Sequence, residues 1–144
     1  MAGSGLPTKI AVEIVSQEGL LLRETIDELI APGADGYFGV RPGHTPMLAA
    51  LGDGSIWIRI GSRELFFSCF GGFCEVLPDR VNILAEIGER AEAIDASRAE
   101  EAKRRAAERM KTIKDEVGFN EAHEAYVRAV TRLAVARNQR APGA

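Results

Sequence analysis

Five arginines are the residues in this 144-residue chain best placed to do chemistry. At about 100° per residue, Arg98, Arg105 and Arg109 fall along the edge of an alanine stripe on one helix, and Arg128 and Arg132 along the edge of a second. Like charges at this spacing cost about 0.2 to 0.5 kcal/mol per pair unless an anion joins them. Guanidiniums hold phosphate oxygens in bidentate fashion, so a docked hairpin that gathered several of them would suit a polyphosphate. The same spacing also fits a solvated face neutralised by Glu100, Glu101, Glu108 and Glu124, and spacing alone favours that second reading.

Other reactive residue types form no set. His44 and His123 are the only histidines, and no paired-acid, Gly-x-Ser-x-Gly or His-Glu-x-x-His motif accompanies them. His44, in Pro-Gly-His-Thr-Pro, reads as a loop histidine bonded to nearby backbone. Cys69 and Cys74 flank Phe-Gly-Gly-Phe, which is neither a metal-ligand nor a redox spacing. Were Gly71-Gly72 a tight hairpin turn, the two thiols would face each other, but nothing implies an oxidising compartment, and buried free thiols are the expectation. The glycines from Gly33 to Gly43 lack the Gly-Lys-Ser/Thr ending of a phosphate loop. Neither a catalytic residue nor a metal site can be named, and an enzyme is the least favoured class.

The elements that must position the arginines follow from a change in composition between Glu89 and Arg105. Through Gly88 there are 6 Lys+Arg against 11 Asp+Glu, and from Glu89 onward 12 against 10. The second part is therefore the natural partner for an anion. We divide the chain into 1–88, a β domain, and 89–144, a helical domain.

In the first part, Lys9 to Ser16 alternates as a strand, followed by extended pieces at Leu20 to Arg23 and Thr25 to Ile30, with Pro32 expected to end the ladder. Gly36 to Leu48 reads as a shaped loop flanked by short strands, and Gly52-Asp53-Gly54 as a turn. Ser55 to Ile60, Arg63 to Phe70, Phe73 to Leu77 and Arg80 to Ile87 complete an antiparallel sandwich or flattened barrel. Seven of the nine aromatic residues lie here, so this part owns the larger core.

In the second part Asp95 is the expected N-cap of a helix whose stripe is Ala99, Ala102, Ala106, Met110, Ile113 and Val117. Gly118 is expected to end it and Asn120 to cap a second helix, with Ala122, Ala125, Ala129, Leu133 and Ala136 as the matching stripe. The pair forms an antiparallel two-helix hairpin. Each alanine buries little area, so the seam holds more weakly than one of Leu or Phe at about 1.5 to 3 kcal/mol each. The hairpin is expected to be ordered when docked and able to open.

No apolar run approaches the roughly 18 residues of a membrane span, and the first residues carry no signal-peptide core. The expectation is a soluble protein without direct membrane insertion. An acidic chain with its aromatics in the core also argues against nucleic acid as a partner.

Gly36-Tyr37-Phe38-Gly39-Val40-Arg41-Pro42-Gly43-His44-Thr45-Pro46-Met47-Leu48 resembles a loop of the F-type ATP synthase epsilon subunit family. Gly71 to Val76 with Val81 to Ala85 resembles the strand pair that ends that family's first domain. The resemblance spans about Lys9 to Gln139. It implies a β-sandwich followed by two helices, in a non-catalytic subunit at the foot of a rotor. The implied partners are the gamma subunit and the c-ring, and also the catalytic alpha/beta head when the helices extend along gamma and inhibit hydrolysis. The location it implies is the cytoplasmic face of the bacterial inner membrane, peripheral to it.

By the same resemblance Ile94-Asp95-Ala96-Ser97-Arg98-Ala99 is similar to a motif with which some bacterial members bind ATP. It makes Glu89, Ile94, Asp95, Arg98, Ala99, Arg105, Arg128 and Arg132 the ATP contacts. ATP would be a regulatory ligand, with no obligatory cofactor. Tyr37, Phe38, Val40, Arg41, Pro42 and His44 become the residues facing gamma and the c-ring. Tyr37 stands where several members carry an acid, so an aromatic contact replaces an ionic one there. A free-standing ATP-sensing module using the same arginines is the alternative, separable by copurification with gamma and c subunits.

Overall fold

Alternation of apolar and polar residues turns Ile10, Val12 and Ile14 of β1 (Ile10–Ser16) into a core, and the computed structural model, which describes residues 5–143, builds seven strands around it. They are β1, β2 (Gly19–Ile26), β3 (Glu28–Gly33), β4 (Gly36–Val40), β5 (Met47–Ile60), β6 (Arg63–Leu77) and β7 (Arg80–Arg90). A 3-10 turn, Ala91–Ala93, leads into α1 (Ala96–Thr112) and α2 (Glu116–Ala136). The strand order is β2-β1-β7-β6-β5-β3-β4, antiparallel except between β1 and β7. One buried cluster draws side chains from all seven strands, and β2 also approaches β5, so the sheet closes over itself as a sandwich.

The long strands hold the main departures from the expected elements. Gly36 to Val40 is strand β4 rather than loop, leaving only Arg41 to Pro46 irregular. Pro32 does not end its ladder; it lies inside β3 opposite Tyr37, at the break in register between β3 and β5, where a missing N–H costs nothing. Gly52-Asp53-Gly54 and Gly71-Gly72 run within β5 and β6 instead of turning them, and the two strands pair in one unbroken register. Gly71 and Gly72 have φ of +77° and +128°. Across them the core-facing residues of β6 switch from Phe67 and Cys69 to Cys74 and Val76, because the left-handed backbone interrupts the alternation of faces. The thiols therefore do not oppose each other across a turn, and both are free and buried.

That switch frees the other face of β5 and β6 for the helices. Trp57, Phe66, Ala91 and Val135 form a second buried cluster, with Ile30 and Ile94 at its edge. α2, rather than α1, makes the main contact with the sandwich. Asp95 caps α1 as expected, accepting from Arg98 N–H at 3.1 Å. α1 ends earlier than expected, at Thr112, and Asp115 caps α2, accepting from Gly118 N–H at 2.8 Å. Gly118 and Asn120 thus lie in the first turns of α2, because Asp115 outcompetes a glycine stop by satisfying an orphan donor. Val117, placed in the first stripe by spacing, is exposed, whereas Ala99, Ala106, Ala122, Ala129 and Leu133 are buried. Among the described residues no helix is long and apolar enough to cross a membrane.

Candidate functional site

A cleft of about 630 Å³ opens where the helical hairpin meets the end of β7. Its walls come from β7, the 3-10 turn and the two helices, each with a different local cause. Glu89 extends from β7, Ile94 follows the 3-10 turn, and Asp95, held as an N-cap, starts the first wall of the hairpin. Arg98, Ala99, Ala102 and Arg105 follow on α1, and Ala125, Arg128, Ala129 and Arg132 face them from α2. All eight residues that the resemblance singled out, Glu89, Ile94, Asp95, Arg98, Ala99, Arg105, Arg128 and Arg132, border this one cleft. Arg109, one turn further along α1, does not. The alanines matter by their size, since they leave the space that larger side chains would fill.

Two guanidiniums are held by the sandwich. Arg132 Nε donates to Glu89 Oε1 at 2.8 Å, and Ser68 Oγ donates to the same oxygen at 2.7 Å. Arg128 Nε donates to Asp53 Oδ2 at 3.3 Å. Beneath both lies Phe70, 2 % exposed, with the guanidinium carbons 4.8 Å (Arg132) and 5.3 Å (Arg128) from the ring centroid. Stacking on an aromatic face and an Nε bond to a carboxylate fix each guanidinium plane while leaving its Nη groups to meet a ligand. On α1, Arg105 approaches Glu101 at 3.9 Å across one turn, an exposed pair of small worth.

The charge balance of the cleft is even. Four arginines face Glu89, Asp95, Glu121 and Glu124. Glu89 is engaged with Arg132 and Asp95 with the end of α1, so Glu121 and Glu124 are the carboxylates that an incoming anion would feel most. Asp53, Ser68, Phe70, Glu121 and Glu124 carried no local signal of a site. Gly-Asp-Gly has the composition of a turn and Phe70 that of core, and only the fold brings Asp53 and Phe70 to Arg128 and Arg132, far along the chain.

The second group of residues divides. Arg41, Pro42 and His44 line a shallower groove of about 410 Å³ with Glu28. His44 Nδ1 lies 2.6 Å from Thr45 O, the local backbone bond expected of it. Val40 also borders the groove, but its side chain is 1 % exposed and belongs to the core, and Phe38 packs against that core. Tyr37 is turned toward β5, where its hydroxyl accepts from Ser55 N–H at 3.1 Å. The nearby charges form a chain: Lys9 with Asp27, Asp27 with Arg59, Arg59 with Glu28, and Glu28 with Arg41 at 3.8 Å. The bonds from Lys9 and from Gly61 N–H hold the Asp27 carboxyl below its ordinary range.

Residues 9–91 match the family model for the ATP synthase delta/epsilon chain β-sandwich domain, and residues 92–137 the model for its long α-helix domain. The ATP synthase epsilon chain of Syntrophobacter fumaroxidans is 45% identical over 128 residues, covering 89% of this chain and 96% of that one. The epsilon chain of Nitratidesulfovibrio vulgaris is 42% identical over 127 residues, covering 88% and 95%. Among solved structures, a chain of the Euglena gracilis mitochondrial ATP synthase, seen as OSCP/F1/c-ring, aligns with a TM-score of 0.77 at 21% identity. That alignment covers 96% of this chain and 88% of the other, a likeness of fold.

Proposed function

We propose, for a chain that belongs to the ATP synthase delta/epsilon family, the role of a central-stalk subunit that binds the gamma subunit and the c-ring and regulates ATP hydrolysis through its helical hairpin. As an epsilon-type chain it is a non-catalytic part of the ATP synthase complex. Its station in the cell is the cytoplasmic face of the bacterial inner membrane, peripheral to it.

What supports attachment is a row of apolar side chains on the outer face of the sandwich. Leu20, Val15, Leu84, Phe73 and Ala50 are direct neighbours across β2, β1, β7, β6 and β5. Leu84 and Phe73 are 63% and 60% exposed, and Leu48, 75% exposed, extends the row along β5. Water-facing apolar rows of this kind mark interaction surfaces, and gamma is the occupant we assign. The groove at Arg41, Pro42 and His44 is assigned to the c-ring.

Regulation rests on the cleft. ATP bound between Arg98 and Arg105 on one side and Arg128 and Arg132 on the other would bridge the two helices and the sandwich. A ligand that binds only the docked hairpin stabilises it by RT ln(1 + [ATP]/Kd), about 2.7 kcal/mol at a hundredfold excess. Falling ATP then releases the hairpin toward the catalytic alpha/beta head. Calorimetric titration of ATP into the chain tests this reading, with Arg98→Ala and Arg132→Ala each expected to weaken binding tenfold or more. Absence of heat at millimolar ATP would remove the ligand and leave the attachment role, which copurification with gamma and c subunits tests separately.

A further inference from the structure

Beyond α2 the chain does not trail into solvent. Arg137 closes the helix, its N–H bonded to Leu133 O at 3.1 Å, and Gln139 N–H reaches back to Ala134 O at 2.8 Å. Asn138, at φ +54°, turns the chain between them. Asparagine tolerates this left-handed conformation better than most side chains. The turn sends the last residues back over β5. Arg140 places its guanidinium carbon 4.2 Å from the Trp57 ring centroid. Ala141 is 4 % exposed, and its N–H donates to Ser55 Oγ at 3.0 Å, a buried bond. Ser55 in turn gives its own N–H to the Tyr37 hydroxyl, and Gly143 lies beside that ring.

We propose that residues 137–143 are a releasable clasp that fastens the helical hairpin to the sandwich. A segment beyond a last helix remains loose unless something ties it, and residues 137–143 are tied at both levels. Arg137 pairs with Glu100 of α1 at 3.6 Å, while Arg140 and Ala141 hold strand β5. The clasp thus links the helix that makes little contact with the sandwich to the sandwich itself. It is separate from the Arg128 and Arg132 bonds at the cleft. Its holds on the sandwich are one cation–π contact and one hydrogen bond, each modest, so it lifts without unfolding the strands. Trp57, beneath it, is 6 % exposed, and its indole N–H meets no acceptor among the described residues. Lifting the clasp lets water reach that donor, which favours release and makes the closed state poised rather than locked. The clasp stands whether or not the cleft binds a nucleotide.

Trp57 is the only tryptophan, so its emission reports the clasp in the full chain. Hydrogen exchange of the α2 amides from residue 130 to 136 reports the hairpin. Three variants separate the holds: Arg140→Ala, Ser55→Ala, and a chain ending at Gln139, which leaves every sandwich residue in place. We expect red-shifted Trp57 emission in Arg140→Ala and the shortened chain. The α2 amides should exchange about tenfold faster in the shortened chain, and less so in the single variants, while exchange in β5 and β6 stays within twofold of the parent. Unchanged α2 exchange in the shortened chain would overturn the clasp, as would equal acceleration in the strands, which would mean that the tail supports the whole domain.

Discussion

Glu89 serves two donors with one oxygen, and this makes it the residue on which the cleft and the docking of α2 meet. Ser68 orients the carboxylate from β6, so Arg132 is received by an acceptor already held in place. Both members of the pair are about one-third exposed, and a charged hydrogen bond of this kind contributes about 1 kcal/mol after screening. Glu89→Gln should therefore accelerate exchange in α2 by several-fold and leave the strands unchanged. Glu121 and Glu124 act in the opposite sense toward an anion. Replacing both with Gln should tighten ATP binding by about two- to fivefold for each, the equivalent of about 0.4 to 1 kcal/mol, as measured by calorimetry at low and physiological salt.

The thiols illustrate how burial governs reactivity. Burial, then the charge of Asp53 and the neighbouring Cys74, pushes Cys69 up to about 12, and burial with Glu75 pushes Cys74 up to about 12. Both should resist alkylation in the folded chain at pH 8 and react once it is unfolded. The unfolded thiols lose their protons near the ordinary value while the folded ones keep theirs. Above about pH 8.5 the unfolded state therefore binds fewer protons, and stability falls as pH rises toward 12.

Strands β5 and β6 show how an element can change its role along its length. Their outer ends carry the apolar row and their other ends carry the helices, and the glycine pair at 71 and 72 reconciles the two. A Cβ on Gly72 would collide with the Leu84 carbonyl and the Ala85 backbone, in a conformation that side chains rarely adopt. Gly72→Ala should destabilise the sandwich by about 3 kcal/mol or more, seen as a large drop in the denaturation midpoint. The helical hairpin behaves differently, since Ala99, Ala106, Ala122 and Ala129 bury little surface. Its amides should be less protected than those of β5 and β6, which hydrogen exchange on the unliganded chain measures directly.

Across the molecule as a whole, the faces proposed for attachment and for control are different. The apolar row lies on the outer face of the sandwich, and the helices cover Trp57, Phe66 and Phe70 on another. Phe73→Ser and Leu84→Ser should change stability by about 0.5 kcal/mol or less, because both side chains are mostly exposed. Together they should abolish copurification with gamma while leaving ATP titration intact. A third region, the charge chain from Lys9 to Arg41, braces the groove assigned to the c-ring. The lowered Asp27 carboxyl contributes stability that is present above the ordinary carboxylate range and is lost as pH falls through its lowered value. Acid titration of Asp27→Asn against the parent chain should show that part of the acid sensitivity removed.

The chain sequence determined the two-part architecture, because period-two alternation in β1 and the i, i+4 alanine spacing of the helices are local properties. It also determined that Asp95 caps α1, since a carboxylate before an alanine-rich run satisfies orphan N–H groups wherever that helix lies. The eight residues proposed as ATP contacts come from the family resemblance, since spacing alone favours a solvated face. Their neighbours carry no such signal. Gly71-Gly72 and Gly52-Asp53-Gly54 have the composition of turns, and only pairing with neighbouring strands made them the interior of β6 and β5. Gly118 looked like a helix stop until Asp115 claimed the cap. Asp53, Ser68 and Phe70 come to support the arginines and Glu89 of the cleft, and Ser55 and Trp57 to seat Arg140 and Ala141, only after the sheet folds over and α2 lies across it. Those contacts join residues far apart in the chain, and no local pattern encodes which distant side chain will arrive. Tertiary packing alone decided them, by burying one face of β5 and β6 against the sandwich and presenting the other to the helices.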